Sequence, residues 1–241
     1  MIVGLVHPGE MGAAVGDQLA ANGHEVLWAS AGRSAETRAR ATAFRDVETV
    51  EALARQSDVV LSICPPHAAL DVARAVQETA GLYVDANAIS PATAREIGAL
   101  HAEFVDGGIV GGPPREPGTR LYLSGARAAE VASLFAGSLL ETRLVADASA
   151  LKMAYAAWSK GTAALLLATR EVARHFAVDE ALAAEWADSV PGLHERLERA
   201  QRSAAKKGWR WAGEMDEIAD TFAAAGQPEG FHRAAAEVYR A

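Results

Sequence analysis

The residues His7-Pro8-Gly9-Glu10-Met11-Gly12 follow an apolar run, residues 2–6 (IVGLV), and lead into residues 10–22, which read as a helix with Met11, Val15 and Leu19 on one face. A glycine-bearing turn between a buried strand and a helix can do one kind of chemistry without any reactive side chain: it binds phosphate. Glycine lets the backbone come close to a bulky anion. The unbonded N–H groups and the dipole of the helix start then face that anion. The dinucleotide fingerprint is G-x-G-x-x-G. Gly9 and Gly12 fill its second and third glycine positions, and His7 stands at the first. An ordinary turn with incidental glycines shares these residues, so the rest of the chain has to decide.

The end of the second strand distinguishes one dinucleotide from another. Residues 25–29 (EVLWA) form that strand, and Ser30-Ala31-Gly32-Arg33-Ser34 follows it. An Asp or Glu here would bind the ribose hydroxyl of NAD. None is present. Arg33 offers a planar fork for a 2′-phosphate, with Ser30 and Ser34 as hydroxyl donors and Arg38 one turn away. These residues predict NADP. Asn87 falls at the carboxyl end of the fourth strand, where open α/β sheets bind ligands; it suits either the nicotinamide ribose or the capping of a turn.

The elements that must hold these residues alternate. Apolar runs at 58–63, 82–85, 103–106, 120–124 and 141–145 read as further strands, with helices at 35–43, 67–79, 91–100 and 127–137. Short buried strands alternating with helices predict an α/β Rossmann domain, a doubly wound parallel sheet. From about residue 147 no strand-like run appears. Residues 148–176, 179–189, 193–206, 211–225 and 229–240 read as helices. The expected organisation is a dinucleotide-binding domain over 1–146 and an all-α domain over 147–241.

Composition narrows the function classes. The chain has 241 residues, half of them hydrophobic and 22% charged, the balance of a globular protein. Net charge is −8, which argues against a broad nucleic-acid surface. No apolar run is long enough to span a bilayer, and the N-terminal residues lack the pattern of a signal peptide. The single cysteine, Cys64, fits a reducing compartment, so a cytoplasmic location is expected. The seven histidines show no metal-ligand spacing, and no serine sits in a nucleophile elbow, so neither a metal site nor serine hydrolysis is expected.

The stretches G-L-V-x-x-G-x-M-G at 4–12, Pro65-Pro66 after DVVLSI, VDANAISP at 84–91 and VDGGIVGGPP at 105–114 together resemble the β-hydroxyacid dehydrogenase and phosphogluconate dehydrogenase superfamily. Ala148-Ser149-Ala150-Leu151-Lys152 resembles that family's lysine segment. Residues 210–239 resemble the C-terminal domain of a phosphogluconate-dehydrogenase-like subgroup. The resemblance implies a Rossmann domain with a helical substrate and dimerisation domain, an active site in the cleft between them, and a homodimer through the helical domain. It places His7, Pro8, Gly9, Glu10, Met11, Ser30, Arg33, Ser34, Cys64, Pro65, Pro66 and Asn87 at the cofactor. It makes Lys152 the catalytic acid/base, a role that suits a lysine in a closed cleft. Gly108, Val110, Tyr155, Lys160 and His232 are the candidates for substrate. Trp158, Trp209, Trp211 and Phe231 suit a pocket, a helical core or a dimer interface.

Two positions depart from that family. Val110 stands where its substrate loop has a serine, and Ala156 stands where an asparagine follows the lysine. The expected activity is hydride transfer between NADP and a small hydroxy or keto compound. The glycine loop also resembles that of imine reductases, so an NADPH-dependent imine reductase is the first alternative. A nucleotide-binding regulator without catalysis is the second, motivated by the two missing polar residues.

Overall fold

The computed structural model describes residues 1–77 and 81–240. It divides into two compact units, Met1–Lys152 and Met153–Ala241.

The first unit is built on an eight-stranded sheet of order β3-β2-β1-β4-β5-β6-β7-β8. Its strands are β1 (Ile2–Leu5), β2 (Glu25–Trp28), β3 (Arg45–Asp46), β4 (Val59–Ser62), β5 (Leu82–Asp85), β6 (Phe104–Val110), β7 (Thr119–Ser124) and β8 (Leu140–Leu144). Neighbours run parallel from β3 through β6. Strands buried on both faces must be apolar at successive positions, which is why these runs do not alternate. Val3, Leu5, Val59 and Leu61 face one core layer, while Val60, Leu27 and Tyr83 face the other. Around the sheet lie α1 (Glu10–Ala21), α2 (Ala35–Arg40), α3 (Val50–Gln56), α4 (Ala69–Ala75), α5 (Pro91–Gly98) and α6 (Ala128–Ser133).

The Rossmann expectation holds, with one change of direction. β7 is antiparallel to β6, pairing Gly107 with Leu123 and Ile109 with Leu121. Only residues 111–118 connect these two strands, too short a stretch for the crossover that a parallel pair requires. β8 is again parallel to β7, reached through α6.

Other boundaries shift. β3 and α3 lie in residues 44–57, where no element was expected. α3 is a two-turn helix capped by Thr49, whose hydroxyl accepts from the Ala52 amide, and it buries Leu53 and Ala54. The helix expected over 67–79 is a 3₁₀ turn at Pro66–Ala68 followed by α4; residues 78 and 79 lie outside the described residues. β6 continues past Asp106 to Val110, because Gly107 and Gly108 pair as strand residues rather than forming a loop.

The second unit is helical, as expected. α7 (Ala148–His175) begins in the first unit and continues into this one. It is followed by α8 (Asp179–Ser189), α9 (Leu193–Ala224) and α10 (Gly230–Arg240). The two helices expected over 193–225 are one. Gly208 lies inside α9, where a Cβ would stand 3.4 Å from the Tyr239 carbonyl oxygen, an ordinary contact distance. Phe222 packs on His232 and Trp211 on Tyr239, which makes α9 and α10 antiparallel.

An ion pair between Lys160 of α7 and Glu214 of α9 is buried in this helical core. The Lys160 ammonium lies 6.0 Å from the Trp211 ring centre, and the Tyr239 hydroxyl donates to the Lys160 carbonyl at 2.6 Å. Removing one partner of such a pair strands a buried charge. Glu214→Ala is expected to cost about 3–5 kcal/mol in a denaturant titration, whereas the double change Lys160→Met, Glu214→Leu should be close to neutral.

Candidate active site

The order of strands reverses around β1 and β4, and ligands of open α/β sheets bind outside the carboxyl ends of the strands at that point. There β1 runs into the turn. The Gly9 amide donates to the His7 carbonyl at 2.9 Å, and α1 starts with Gly9 in extended conformation and no side-chain cap. A Cβ at Gly9 would meet nothing within 4 Å, so the space before the helix start is open. A Cβ at Gly12 would collide with the His7 carbonyl oxygen at 2.2 Å. An open face at the second glycine and close packing at the third are what a pyrophosphate cradle needs.

The loop after β2 closes the crevice on one side. An Arg33 terminal nitrogen donates to the Val6 carbonyl at 3.3 Å, which lays the guanidinium beside the end of β1. Arg38 reinforces the loop from behind, donating to the carbonyls of Ser30 at 2.8 Å and Arg33 at 3.3 Å. Ser34 caps α2 by accepting from the Thr37 amide at 3.3 Å. The Arg33 Nε and the His7 Nδ1 are both buried with no hydrogen-bond partner. Burial, reinforced by the Arg33 charge, lowers the His7 pKa to about 4. Burial also lowers that of Arg33, against a smaller opposing effect of Cys64. A buried guanidinium nitrogen without a partner, and an unpartnered imidazole nitrogen within its electrostatic reach, suit a phosphate, so the residues present fit NADP.

The other cofactor candidates gather at the ends of β4 and β5. The Cys64 amide donates to the Asn87 Oδ1 at 2.5 Å. The Asn87 Nδ2 donates to Asp85 at 2.7 Å and to the Ser62 hydroxyl at 3.2 Å. Asn87 thus ties the two strand ends together, and its buried amide is occupied by that task. Pro8 and Pro66 are buried, Pro65 is half-buried, Met11 packs against the core and Glu10 is exposed.

Lys152 sits one turn into α7, and a buried carboxylate sets where that helix begins. Asp106 of β6 accepts from the Ser149 amide at 2.8 Å, the Ser149 hydroxyl at 2.6 Å and the Ser124 hydroxyl at 3.1 Å. Ser124 in turn accepts from the Ala148 amide at 3.0 Å. Burial raises the Asp106 pKa, with the three bonds opposing it. Asp106, Ser124 and Ser149 were not foreseen; the signal present in the sequence is an acid inside an apolar strand run. From this anchor the Lys152 Nζ reaches the Ile109 carbonyl and donates to it at 2.7 Å. Gly108 makes the approach possible: a Cβ there would lie 2.9 Å from both the Ala148 carbonyl oxygen and the Lys152 Cβ. Val110 is buried at the end of the same strand.

The remaining candidates belong to the helical unit. Tyr155 is half exposed on α7, and Ala156 is buried. Lys160 is paired with Glu214. His232 is buried, edge-on to Phe222 and Phe231, and its pKa is lowered by that burial. No group of three or more His, Cys, Asp or Glu suited to a metal occurs among the described residues, and no helix among them is long and apolar enough to cross a membrane.

Comparison with known proteins bears on this geometry. Residues 9–111 match the model of the saccharopine dehydrogenase NADP-binding domain, and residues 173–241 match a domain of unknown function, DUF1932. The chain is 32% identical over 191 residues to an uncharacterised 28.5 kDa protein encoded in the 7S RNA 5′ region of Methanothermus fervidus, covering 76% of this chain and 75% of that one. It is similar in structure to the conserved protein MTH1747, of unknown function and described as resembling 3-hydroxyacid dehydrogenases. That match has a TM-score of 0.71 and 28% identity, over 100% of this chain and 97% of the other. The fold is also that of the 3-hydroxyisobutyrate dehydrogenase of Salmonella typhimurium, with a TM-score of 0.73 at 15% identity over 100% and 93% of the two chains. With a glycine turn that fits an NADP-binding domain and a lysine at the head of the long helix, the chain belongs to one family with the Methanothermus fervidus protein and has the fold of the 3-hydroxyacid dehydrogenases.

Proposed function

We propose that the protein transfers hydride between NADP and a small hydroxy or keto compound, with Lys152 as the proton donor and acceptor. The supporting observation is the placement of Lys152, whose Nζ is held at 2.7 Å by a strand carbonyl on a helix pinned by Asp106. When bound, NADP supplies or takes the hydride at its nicotinamide ring. As a carbonyl carbon gains hydride, its oxygen gains the proton of the Lys152 ammonium, leaving a neutral amine. In the oxidative direction the amine takes the hydroxyl proton back. The Ile109 carbonyl orients the Nζ without carrying a charge of its own, so it steers the group more than it lowers its acidity.

Imine reduction is a second reading, favoured by the apolar character of two positions. Val110 and Ala156 are both buried and offer no polar side chain for a substrate carboxylate. We also propose that a second copy of this chain covers one face of α7. Tyr155, Trp158, Leu165, Val172 and Phe176, with Thr162 and Thr169, recur at alternating intervals of three and four, and the five large residues are each at least half exposed. That spacing is a seam for helix-to-helix packing.

Lys152→Ala is expected to lower kcat on the best substrate about 10²–10⁴-fold while leaving NADPH binding unchanged; an unaltered rate overturns the proton-transfer assignment. Turnover of hydroxy and keto acids against cyclic imines decides between the two reductions. Arg33→Ala should weaken NADPH binding roughly 10–100-fold, from the loss of a charge-assisted contact, and NADH binding little. Sedimentation should show a dimer that Leu165→Glu converts to monomer; a monomeric parent chain removes the proposed seam.

A further inference from the structure

The turn at the end of β1 carries a titratable ring where a glycine is usual. The His7 backbone is fixed from both sides: its carbonyl accepts from Gly9, and Gly12 packs against that same oxygen. The Nδ1 is buried and has no hydrogen-bond partner. Arg33, whose Nε is in the same condition, grips the carbonyl of Val6, the residue just before His7. Imidazole and guanidinium are therefore neighbours at the ends of β1 and β2, where a dinucleotide presents its adenosine ribose. Unsatisfied buried polar atoms carry a desolvation penalty, which an anion placed between them would relieve once both carry protons.

We infer that His7 and Arg33 together hold the 2′-phosphate of NADP, and that the His7 imidazole is protonated in that complex. The inference rests on the reading that Arg33 takes the 2′-phosphate. The groups around the ring set its behaviour before the nucleotide arrives. Arg33 faces it from the β2–α2 loop, with Arg38 bound behind that loop. Asp46 of β3 is engaged by Ser30, whose hydroxyl draws its carboxyl below the ordinary range. Cys64, at the end of β4, couples to Arg33, and Glu10 heads α1 on the exposed side. Burial and Arg33 leave the free ring neutral above about pH 4. A phosphate dianion beside it reverses the sign of the local field and favours the imidazolium. NADP must then bring a proton with it from solution, and NAD, which has no 2′-phosphate, must not. Proton uptake on binding means that affinity rises as pH falls, up to tenfold per pH unit within the window between the free and bound pKa values. Preference for NADP over NAD becomes a function of pH.

Isothermal titration calorimetry of the full chain at pH 6.5, in two buffers of different ionisation enthalpy, counts these protons. The nucleotide's own phosphate, with a pKa near 6, also exchanges protons on binding, so the informative quantity is the difference between variants, which reads the imidazole and the phosphate it meets as one coupled pair. NADP binding to the parent chain is expected to take up roughly half to one proton more than binding to His7→Gln. His7→Gly, which restores the glycine common at this position, should match His7→Gln, and NAD should show no such difference. Equal proton counts in parent and variants, with NADP still preferred over NAD, overturn the role of His7 and leave that of Arg33 intact. Equal affinity for NADP and NAD in the parent chain instead overturns the placement of the 2′-phosphate at Arg33.

Discussion

A buried carboxylate joins the sheet to the helix that carries the proposed proton donor. Asp106 lies in β6, and its oxygens receive the hydroxyls of Ser124 and Ser149 and the Ser149 amide. The first amides of a helix have no partners within the helix. Here those partners come from strands 24 and 43 residues earlier in the chain. A negative charge at a helix start also meets the favourable end of the helix dipole. The outcome is a helix whose origin is specified by side chains of the sheet, with Lys152 one turn beyond it.

The two ends of this unit differ in how plainly the sequence displays them. The glycine turn was legible because its requirements are local: strand, turn and helix are contiguous, and each glycine answers to atoms a few residues away. The place of Arg33 was legible for the same reason, since it follows closely on a strand end. Asp106 was not, because its meaning depends on Ser124 and Ser149, which only the fold brings to it. β3 and α3 escaped notice because they are short; seven residues of helix carry too few turns to show a period. The two helices read over 193–225 are one, and glycine's low helix propensity does not interrupt it at Gly208, against which α10 packs.

Electrostatics explain how an acidic chain accommodates a polyanionic nucleotide. The formal charge of −8 is distributed over the whole molecule, while Arg33 and Arg38 stand together at the ends of β1 and β2, beside a helix start without a side-chain cap. Many of the acidic residues are compensated locally, as in the cluster where Arg233 meets Asp220 and Glu229. The field at the crevice is thus a local matter, set by a few groups within a screening length.

Gly108 imposes a different kind of limit. Any side chain there would meet both the helix backbone and the stem of Lys152, so the distance between strand and lysine has no room to vary. Val110, two residues along the same face, has a side chain that can be exchanged for another. Evolution can therefore retune what lies at the end of the strand without moving the lysine. A lineage under selection for a new substrate would keep Lys152 at constant height and change its neighbours.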